Sequence, residues 1–594
     1  MEQADLDLDT LRRKYRLERD KRLTADGAGA YTLLKGKLEE RYGADPWAPS
    51  SVSRKPVSWD LEALIVGGGF AGMFAGGMMR KHGVAARDLC IVEGAADFGG
   101  TWYWNRYPGL SCDTESYCYL PLLEETGYVP KEKYSFGPEL LEHSQRVGRH
   151  FGLDERALFQ TRVIEAIWDE ERARWIAKTN RGDELRARYL WLCGGATNRP
   201  KLPGTPGIAD FRGHSFHTMR WDYQYTGGGP MGDMVNLKDK RVGVVGTGCT
   251  AIQCIPPLGE WAKELYVFQR TPSPVNVRGN RPTDPDWASK LKPGWQLRRT
   301  ENFLSILSGA PQAEDLVDDG WTQKFKDVRH YKASTAPDAA AEVLERVDFE
   351  LMQEVRTRVD ELVQDPQTAE ALKPWYGLLC KRMTFHDSYL QTFNRPNVIL
   401  VDTKGRGIER ITENGIVANG REYGLDCIIY ATGFDISSGL TASLEFEPQG
   451  EGGMNLAQRW AREYTTLHGL LISGFPNMFF IGGLQGAIAT TRTYDISVQT
   501  EHCARIVEHC RANGIAKFSV TPEAEQNWQA EMAARRLDLQ QYFRDCTPSY
   551  FNGDGKYGPV WDYFYGGGPV EYRIVLENWR KDKLDKDLSF QNLL

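Results

Sequence analysis

The sequence has no Cys-x-x-Cys pair, although its 594 residues include 11 cysteines, scattered from Cys90 to Cys546. Zinc ribbons and dithiol reductase sites both need closely spaced cysteines, so the pattern argues against either site. It is equally unlike the dense disulfide framework of a small secreted domain. We therefore expect the thiols to be reduced and buried, and we predict no metal site.

Long apolar runs are also missing. The longest ones, such as Tyr189–Cys193 and Cys427–Ala431, have the length of a strand and fall short of the ~20 residues that a membrane helix needs. Residues 1–23 are charged throughout and contain no apolar signal region. We expect a protein without a membrane partner, located in the cytoplasm.

Neither sign of charge is in large excess. The sequence has 73 Lys and Arg residues and 80 Asp and Glu residues, which gives a net charge of −7. Spread over so long a chain, this charge gives no field that would hold a nucleic acid backbone. Nucleic acid is therefore not expected as a partner. The length itself exceeds what one hydrophobic core sustains, so we expect several domains. The oligomeric state stays open.

A short apolar strand, a glycine turn and a helix follow one another from residue 61. In this order, the amide N–H groups of the turn and the helix dipole can meet a pyrophosphate at close range. Glu93 ends the next apolar run, about 20 residues past the last glycine, where a carboxylate can accept hydrogen bonds from ribose hydroxyls. The pattern predicts a site for FAD. Its turn residues are Gly67, Gly69, Phe70, Ala71 and Gly72.

A second strand and glycine turn begin at Arg241, and here the following strand ends in Arg270 and Thr271 with no acidic residue. A carboxylate there would repel a 2′-phosphate, whereas a guanidinium pairs with it. The alternative is that Arg270 is a solvated surface arginine. We predict NADP(H) at this second site. The predicted contacts are Gly246, Thr247, Gly248, Ala251, Arg270 and Thr271.

These features predict an α/β fold with two nested Rossmann-like dinucleotide-binding domains, a helical insertion, and N- and C-terminal extensions. The expected order is a helical arm and linker at 1–60, a FAD-binding domain at 61–200 and 426–545, an NADP-binding domain at 201–275 and 376–425, a helical insertion at 276–375, and an aromatic, Gly-rich tail at 546–594. A nicotinamide would reduce a flavin, and with no redox-active Cys-x-x-Cys pair the expected electron acceptor is molecular oxygen.

Between the two glycine motifs lies the stretch FRGHSFHTMRWD. It closely resembles the fingerprint of type I Baeyer–Villiger monooxygenases, FAD- and NADPH-dependent enzymes that insert an oxygen atom beside a ketone carbonyl. The matching positions are Phe211, Gly213, His217, Trp221 and Asp222. Further stretches are similar to the same family, namely FGGTWYWNRYPGLSCDTESYCY, FQRTP, CKR and ATGFD.

The resemblance implies roles for individual residues. Arg382 matches the catalytic arginine, which would stabilise an anionic flavin C4a-peroxide, and Asp113 would hold that arginine in place. Lys381 would join Arg270 at the 2′-phosphate. Tyr550 stands where the family commonly has a tryptophan in a loop over NADP. The residues expected along the flavin are Glu93, Gly100, Thr101, Trp102, Asp113 and Tyr119.

His217 is expected to lie in a linker between the two nucleotide domains and to act as a hinge or relay. The resemblance extends to the long-armed branch of the family, which includes cyclopentadecanone and pentalenolactone-pathway monooxygenases. It implies oxidation of a bulky cyclic or polycyclic ketone, terpenoid ketones among them, to a lactone or ester with NADPH and O2. Two alternatives remain at this point: a flavin monooxygenase that oxidises nitrogen or sulfur, and a non-catalytic flavin-binding protein.

Overall fold

The computed structural model describes residues 7–24, 27–49, 53–195, 197–325, 340–435, 444–537, 539–556 and 564–592. Its largest sheet has eight strands, and one of them, Ser58–Val66, leads into the first glycine turn. Strand Ser58–Val66 pairs in parallel with Leu89–Val92 on one side and with Glu184–Leu192 on the other. The remaining strands of this sheet are Ala157–Leu158, Val163–Asp169, Arg174–Thr179, Pro448–Gln449 and Met478–Phe480.

A second sheet has five parallel strands, and one of them, Arg241–Val245, leads into the second glycine turn. Its strand order is Val398–Asp402, Glu264–Gln269, Arg241–Val245, Cys427–Tyr430 and His214–His217. All adjacent pairs run in parallel. The central strands are buried almost throughout, as expected of a parallel sheet covered on both faces. The prediction of two nested Rossmann-like domains is confirmed.

Two details of the predicted organisation need correction. Strand Cys427–Tyr430 pairs with Arg241–Val245, so the second sheet continues past the boundary drawn at 425/426. His217 ends strand His214–His217 at the edge of the same sheet and does not lie in a linker. The second sheet therefore extends from His214 to Tyr430 along the chain, and the spacing of the glycine motifs does not mark these limits.

Segments near the two ends of the chain form separate two-stranded sheets. Tyr31–Leu33 pairs with Lys201–Pro203, and Ile515–Val520 pairs with Leu588–Asn592. The other short strands are Val275–Asn276, Thr384–Phe385, Arg410–Ile411, Gly415–Ala418 and Arg421–Gly424.

Helices cover both sheets and form the insertion between them. The helices of six or more residues include Leu8–Asp20, Lys37–Tyr42, Phe70–Lys81, Gly137–His150, Cys249–Trp261, Trp295–Leu307, Ala340–Leu362, Pro366–Leu372, Leu456–Arg462, Arg492–Ala512, Pro522–Ala534, Gln540–Asp545 and Pro569–Asp582. The four-residue helices are Thr101–Trp104, Ser116–Tyr119, Leu123–Thr126, Tyr223–Thr226, Pro285–Ala288, Tyr389–Thr392 and Leu584–Asp587. Within the described ranges, no helix has the length and apolarity to cross a membrane.

Cys380 and Cys546 form a disulfide, which corrects the expectation that the thiols are all reduced and buried. The two cysteines are 166 residues apart in sequence, so no local spacing marks the pair. Cys249 departs from that expectation in another way, because its side chain is exposed. The disulfide joins the segment immediately before Lys381 and Arg382 to the start of the C-terminal tail.

Thiol titration is expected to find nine reactive groups in the denatured, unreduced protein and 11 after reduction. Because a cross-link restricts the unfolded chain, Cys546→Ser should lower the free energy of unfolding by about 2–4 kcal/mol, seen as a lower Tm. Cys249→Ser is the control, since its exposed thiol forms no cross-link. Eleven thiols without reductant would contradict the pairing.

Candidate active site

The first glycine turn is shaped so tightly that side chains would not fit. A Cβ atom added at Gly67 would lie 2.4 Å from the carbonyl oxygen of Cys193. One added at Gly72 would lie 1.9 Å from the carbonyl oxygen of Gly67. Gly69 then caps helix Phe70–Lys81, whose first N–H groups are donors for an anion. This cradle fits the pyrophosphate of a dinucleotide.

Glu93 follows the next strand, Leu89–Val92, and its side chain contacts this turn. Its carboxylate accepts hydrogen bonds from the N–H groups of Gly68, at 2.6 Å, and Ala95, at 2.7 Å. Burial raises the pKa of the carboxyl, and these backbone hydrogen bonds act against that rise. The predicted contact with a ribose stays a prediction.

The segment predicted to lie along the flavin meets the same turn. A Cβ atom added at Gly100 would lie 2.7 Å from the Cα atom of Gly69, so the two glycines allow two backbones to touch. The hydroxyl groups of Thr101 and Thr197 are 2.7 Å apart. The ring centroid of Tyr119 lies 5.6 Å from that of Trp102 and 5.8 Å from that of Phe70. Most of the predicted flavin residues are therefore neighbours.

The second turn repeats this construction. A Cβ atom added at Gly246 would lie 2.6 Å from the carbonyl oxygen of Ala431, and Gly248 caps helix Cys249–Trp261. Thr247 ties the turn to the next strand, because its Oγ1 donates to the carbonyl oxygen of Thr271 at 2.7 Å. The buried hydroxyl of Thr271 itself has no hydrogen-bond partner among the residues that the structure describes. The turn and this hydroxyl fit a second dinucleotide.

Arg382 and Asp113 form the pair that the resemblance implies. Arg382 Nε donates to Asp113 Oδ2 at 2.7 Å, and a terminal guanidinium nitrogen donates to Oδ1 at 2.9 Å. Trp321 supports both partners: its ring centroid lies 5.3 Å from Cζ of Arg382, and its Nε1 donates to the carbonyl oxygen of Asp113 at 2.8 Å. The orientation of the guanidinium is thus fixed from two sides.

Electrostatics keep this pair ionised. Burial alone would raise the pKa of Asp113, but the charge and hydrogen bonds of Arg382 outweigh burial and hold that pKa below its ordinary value. Burial likewise opposes the charge on Arg382, yet Asp113 raises the pKa of the guanidinium. Arg382 therefore offers a permanent positive charge in a half-buried position, with 29% of its side-chain surface exposed.

A basic cluster, formed by Arg270, Lys381 and Lys201, lies at the far end of the second turn. A carboxylate of the C-terminal tail stands among these side chains: Asp554 accepts from Arg270 at 3.0 Å and lies 3.8 Å from Nζ of Lys201. Lys381 Nζ donates to the carbonyl oxygen of Pro548 at 3.2 Å. Burial first, and then the charge of Arg270, lower the pKa of Lys381 to about 7.

NADPH binding is expected to depend on pH through Lys381, because an ammonium with a pKa of about 7 is charged below that pH and neutral above it. Only the charged form attracts a 2′-phosphate. The Kd of the wild type, divided by that of a Lys381→Arg variant whose guanidinium stays charged, should rise by up to about tenfold from about pH 6 to about pH 8. Titration of the phosphate itself affects both proteins and cancels. A ratio that does not change with pH would contradict this role.

The fingerprint residues are internal supports of the second sheet. His217 is fully buried, its Nδ1 accepts from the N–H group of Met219 at 3.1 Å, and burial lowers its pKa to about 3. Trp221 is also fully buried, and Asp222 caps helix Tyr223–Thr226.

Phe211 and Gly213 pack on each other at the start of the fingerprint. A Cβ atom added at Gly213 would lie 2.4 Å from the ring of Phe211. None of these contacts is with the Asp113–Arg382 pair, so the structure does not bring the fingerprint to the reacting centre.

Tyr550 begins the turn of the C-terminal tail that carries Asp554, and its ring centroid lies 4.2 Å from that of Phe551. Sequence reasoning did not find three residues of the site: Trp321, Lys201 and Asp554. Lys201 follows no motif, and it reaches the basic cluster because strand Lys201–Pro203 pairs with the N-terminal arm. No local signal could have identified these side chains.

The chain is similar in sequence to known proteins. A family model described as an NAD(P)-binding Rossmann-like domain matches residues 65–126. Pentalenolactone D synthase from Streptomyces arenae is 47% identical, over 97% of this chain and 98% of that protein. Baeyer–Villiger monooxygenase ATR8 from Stachybotrys chlorohalonatus is 45% identical, over 96% of this chain and 92% of its own length. The chain belongs to the type I Baeyer–Villiger monooxygenases.

A solved structure agrees with this Baeyer–Villiger monooxygenase over its whole length. The polycyclic ketone monooxygenase from the thermophilic fungus Thermothelomyces thermophila has a TM-score of 0.90 and 37% identity, with 99% of both chains covered. The predictions of FAD and NADPH as cofactors, and of an NADPH-dependent FAD monooxygenase, are confirmed. The family favours Baeyer–Villiger chemistry over oxidation of nitrogen or sulfur and over a non-catalytic flavin protein.

Proposed function

We propose that this monooxygenase converts a bulky cyclic or polycyclic ketone, terpenoid ketones included, to a lactone or ester with NADPH and O2. Three relatives support the substrate class by name: the polycyclic ketone monooxygenase, pentalenolactone D synthase and a ketocytochalasin monooxygenase from Aspergillus clavatus. The observation that carries the proposal is the bidentate Asp113–Arg382 pair held against Trp321.

Bound flavin supplies the oxygen-transfer chemistry, which no amino acid side chain can provide. The role that we assign to Arg382 is electrostatic: its fixed charge lowers the energy of negative charge that develops on the reacting oxygen atoms. Asp113 is the positioning partner, because its two oxygens fix the plane of the guanidinium while they moderate its charge. Trp321 excludes water from one side of the pair.

The two glycine turns supply the other requirement, which is to hold both dinucleotides in one fixed relation. We assign the turn at Gly67–Gly72 and Glu93 to FAD, and the turn at Gly246–Ala251 to NADPH. The basic cluster takes the 2′-phosphate, and it thereby selects NADPH over NADH. Tyr550 is the aromatic residue that we assign to the loop over the nicotinamide nucleotide.

A panel of ketones of increasing ring number tests the substrate class. Purified protein loaded with FAD should consume NADPH on addition of bulky cyclic ketones and form lactones that carry one atom from labelled O2, detected by mass spectrometry. Small cyclic ketones should react more slowly than polycyclic ones. Product from an amine or thioether, with no lactone from any ketone, would instead support the nitrogen- or sulfur-oxidising alternative.

A further inference from the structure

The residues proposed for the 2′-phosphate already have an anionic partner. Asp554 lies in the turn Tyr550–Gly555 of the C-terminal tail, and only 6% of its surface is exposed. One carboxylate oxygen accepts from Arg270 at 3.0 Å, and the other lies 3.8 Å from Nζ of Lys201. These are the kinds of cation that a phosphate group recruits.

The cations converge on one small region. Lys201 Nζ lies 3.9 Å from the ring centroid of Tyr31, and Arg270 Cζ lies 5.8 Å from the same centroid. Lys381 lies close enough for the charges of Arg270 and Asp554 to act on it. Below about pH 7, where Lys381 is charged, these three cations outnumber the carboxylate of Asp554 by two, so the cluster keeps positive charge for a phosphate monoester.

The geometry points to Asp554 as a determinant of coenzyme selectivity: we propose that its carboxylate occupies the place of the 2′-phosphate on Arg270 and Lys201, and that NADPH binds by displacing it. This inference rests on the proposed assignment of the basic cluster to the 2′-phosphate. NADH carries no 2′-phosphate, so it binds without displacing the carboxylate. Asp554 therefore lowers the affinity for NADPH selectively.

Displacement of Asp554 has a structural consequence. The same turn carries Tyr550, and the chain before it is tied to the segment of Lys381 and Arg382 by the Cys380–Cys546 disulfide. Because Tyr550 and Asp554 lie in one turn, displacement of Asp554 by the 2′-phosphate would shift this turn, while the disulfide holds the segment before it. Binding at the basic cluster is thereby transmitted to Tyr550.

The test uses the full-length, FAD-loaded protein with two probes, adenosine 2′,5′-bisphosphate and adenosine 5′-monophosphate, and Kd values from titration. Asp554→Asn should tighten the bisphosphate by about tenfold, or ~1.4 kcal/mol, and change the monophosphate less than about twofold. Asparagine is chosen because Asp554 has a φ of 54°, a conformation that asparagine tolerates. Asp554→Gly, which also accepts this φ, is the second variant if the first loses FAD or stability.

The control is Asp545→Asn, which removes the same charge from the end of helix Gln540–Asp545, just before the tail. Asp545 is exposed and pairs at 3.1 Å with Arg19, which is not a member of the basic cluster. We expect this variant to bind both probes as the wild type does.

The Arg270→Ala variant tests the assignment of the basic cluster to the 2′-phosphate separately from the role proposed for Asp554. It should abolish the preference for the bisphosphate; if the preference survives, the assignment of the cluster to the 2′-phosphate is wrong. If Arg270→Ala abolishes the preference but Asp554→Asn leaves bisphosphate binding unchanged or weaker, the site stands and the inference is overturned. Equal tightening of both probes would also overturn it, because the carboxylate would then act without regard to the 2′-phosphate.

Discussion

Arg382→Ala is expected to lower the rate of lactone formation by about 10³-fold or more while FAD stays bound. Removing one fixed electrostatic partner of a developing anion typically costs about 10²–10³-fold, and here a full charge is lost from a half-buried position. The loss also leaves Asp113 without the partner that holds its pKa down. The measurement is the rate of lactone formation, followed by mass spectrometry, together with the NADPH consumed.

Other reactions of the Arg382→Ala variant should show whether it has lost one catalytic step or its folded structure. Reduction of the flavin by NADPH without oxygen should persist in Arg382→Ala, as should sulfoxidation of a thioether, which does not require stabilisation of an anion. NADPH consumed in the presence of ketone should then appear as hydrogen peroxide.

Arg382→Lys should fall between the wild type and Arg382→Ala, because an ammonium keeps the charge but cannot form the bidentate pair with Asp113. Arg212→Ala is the control, since Arg212 also pairs with a carboxylate, that of Glu413 at 2.8 Å, but is exposed. Full lactone turnover by the Arg382→Ala variant would refute the role assigned to this side chain.

The parts of the site that sequence could predict are those with a local signature. The spacing of Gly67 and Gly72 marks the first turn, because a Cβ atom at Gly72 would meet the carbonyl oxygen of Gly67, five residues earlier. The fold class follows from two such turns, each after a strand and before a helix. Arg382 and Asp113 became predictable only through resemblance to a family, since 269 residues separate them.

The parts that sequence did not predict are contacts between distant segments. Trp321 meets Asp113 across 208 residues, and Asp554 meets Arg270 across 284. The Cys380–Cys546 pair spans 166 residues. Such contacts depend on how the insertion and the tail pack on the two sheets, and no periodicity or motif within one segment encodes that packing.

Gly72→Ala is expected to lower both FAD retention and stability, although sequence alone would allow it. The second turn has Ala251 in the corresponding position, so a motif comparison treats glycine and alanine there as equivalent. In a helix interior, alanine would ordinarily be the more stable residue by about 1 kcal/mol. The structure predicts the opposite sign, because the new Cβ atom would lie 1.9 Å from the carbonyl oxygen of Gly67 and 3.3 Å from a methyl group of Ile65.

Relief of this clash requires the turn to move away from the helix. The Gly67 carbonyl belongs to backbone that already lies against Cys193, so the turn has little room on its other side. Overpacking of this kind costs about 1–3 kcal/mol, and displacement of the turn also misplaces the N–H groups that meet the pyrophosphate. We expect a lower Tm and a smaller ratio of flavin absorbance to protein absorbance after purification.

Two control variants isolate the clash. Gly248→Ala places a Cβ atom where no described atom lies within 4 Å, at a φ of −80°, so it should keep normal FAD content and Tm. Its methyl group stands on the second turn, and it should raise the KM for NADPH instead. Ala251→Gly should leave FAD content unchanged, because it opens space in the second turn only. Normal flavin content and Tm in Gly72→Ala would mean that the first turn relaxes without cost, and that the motif comparison was the better guide.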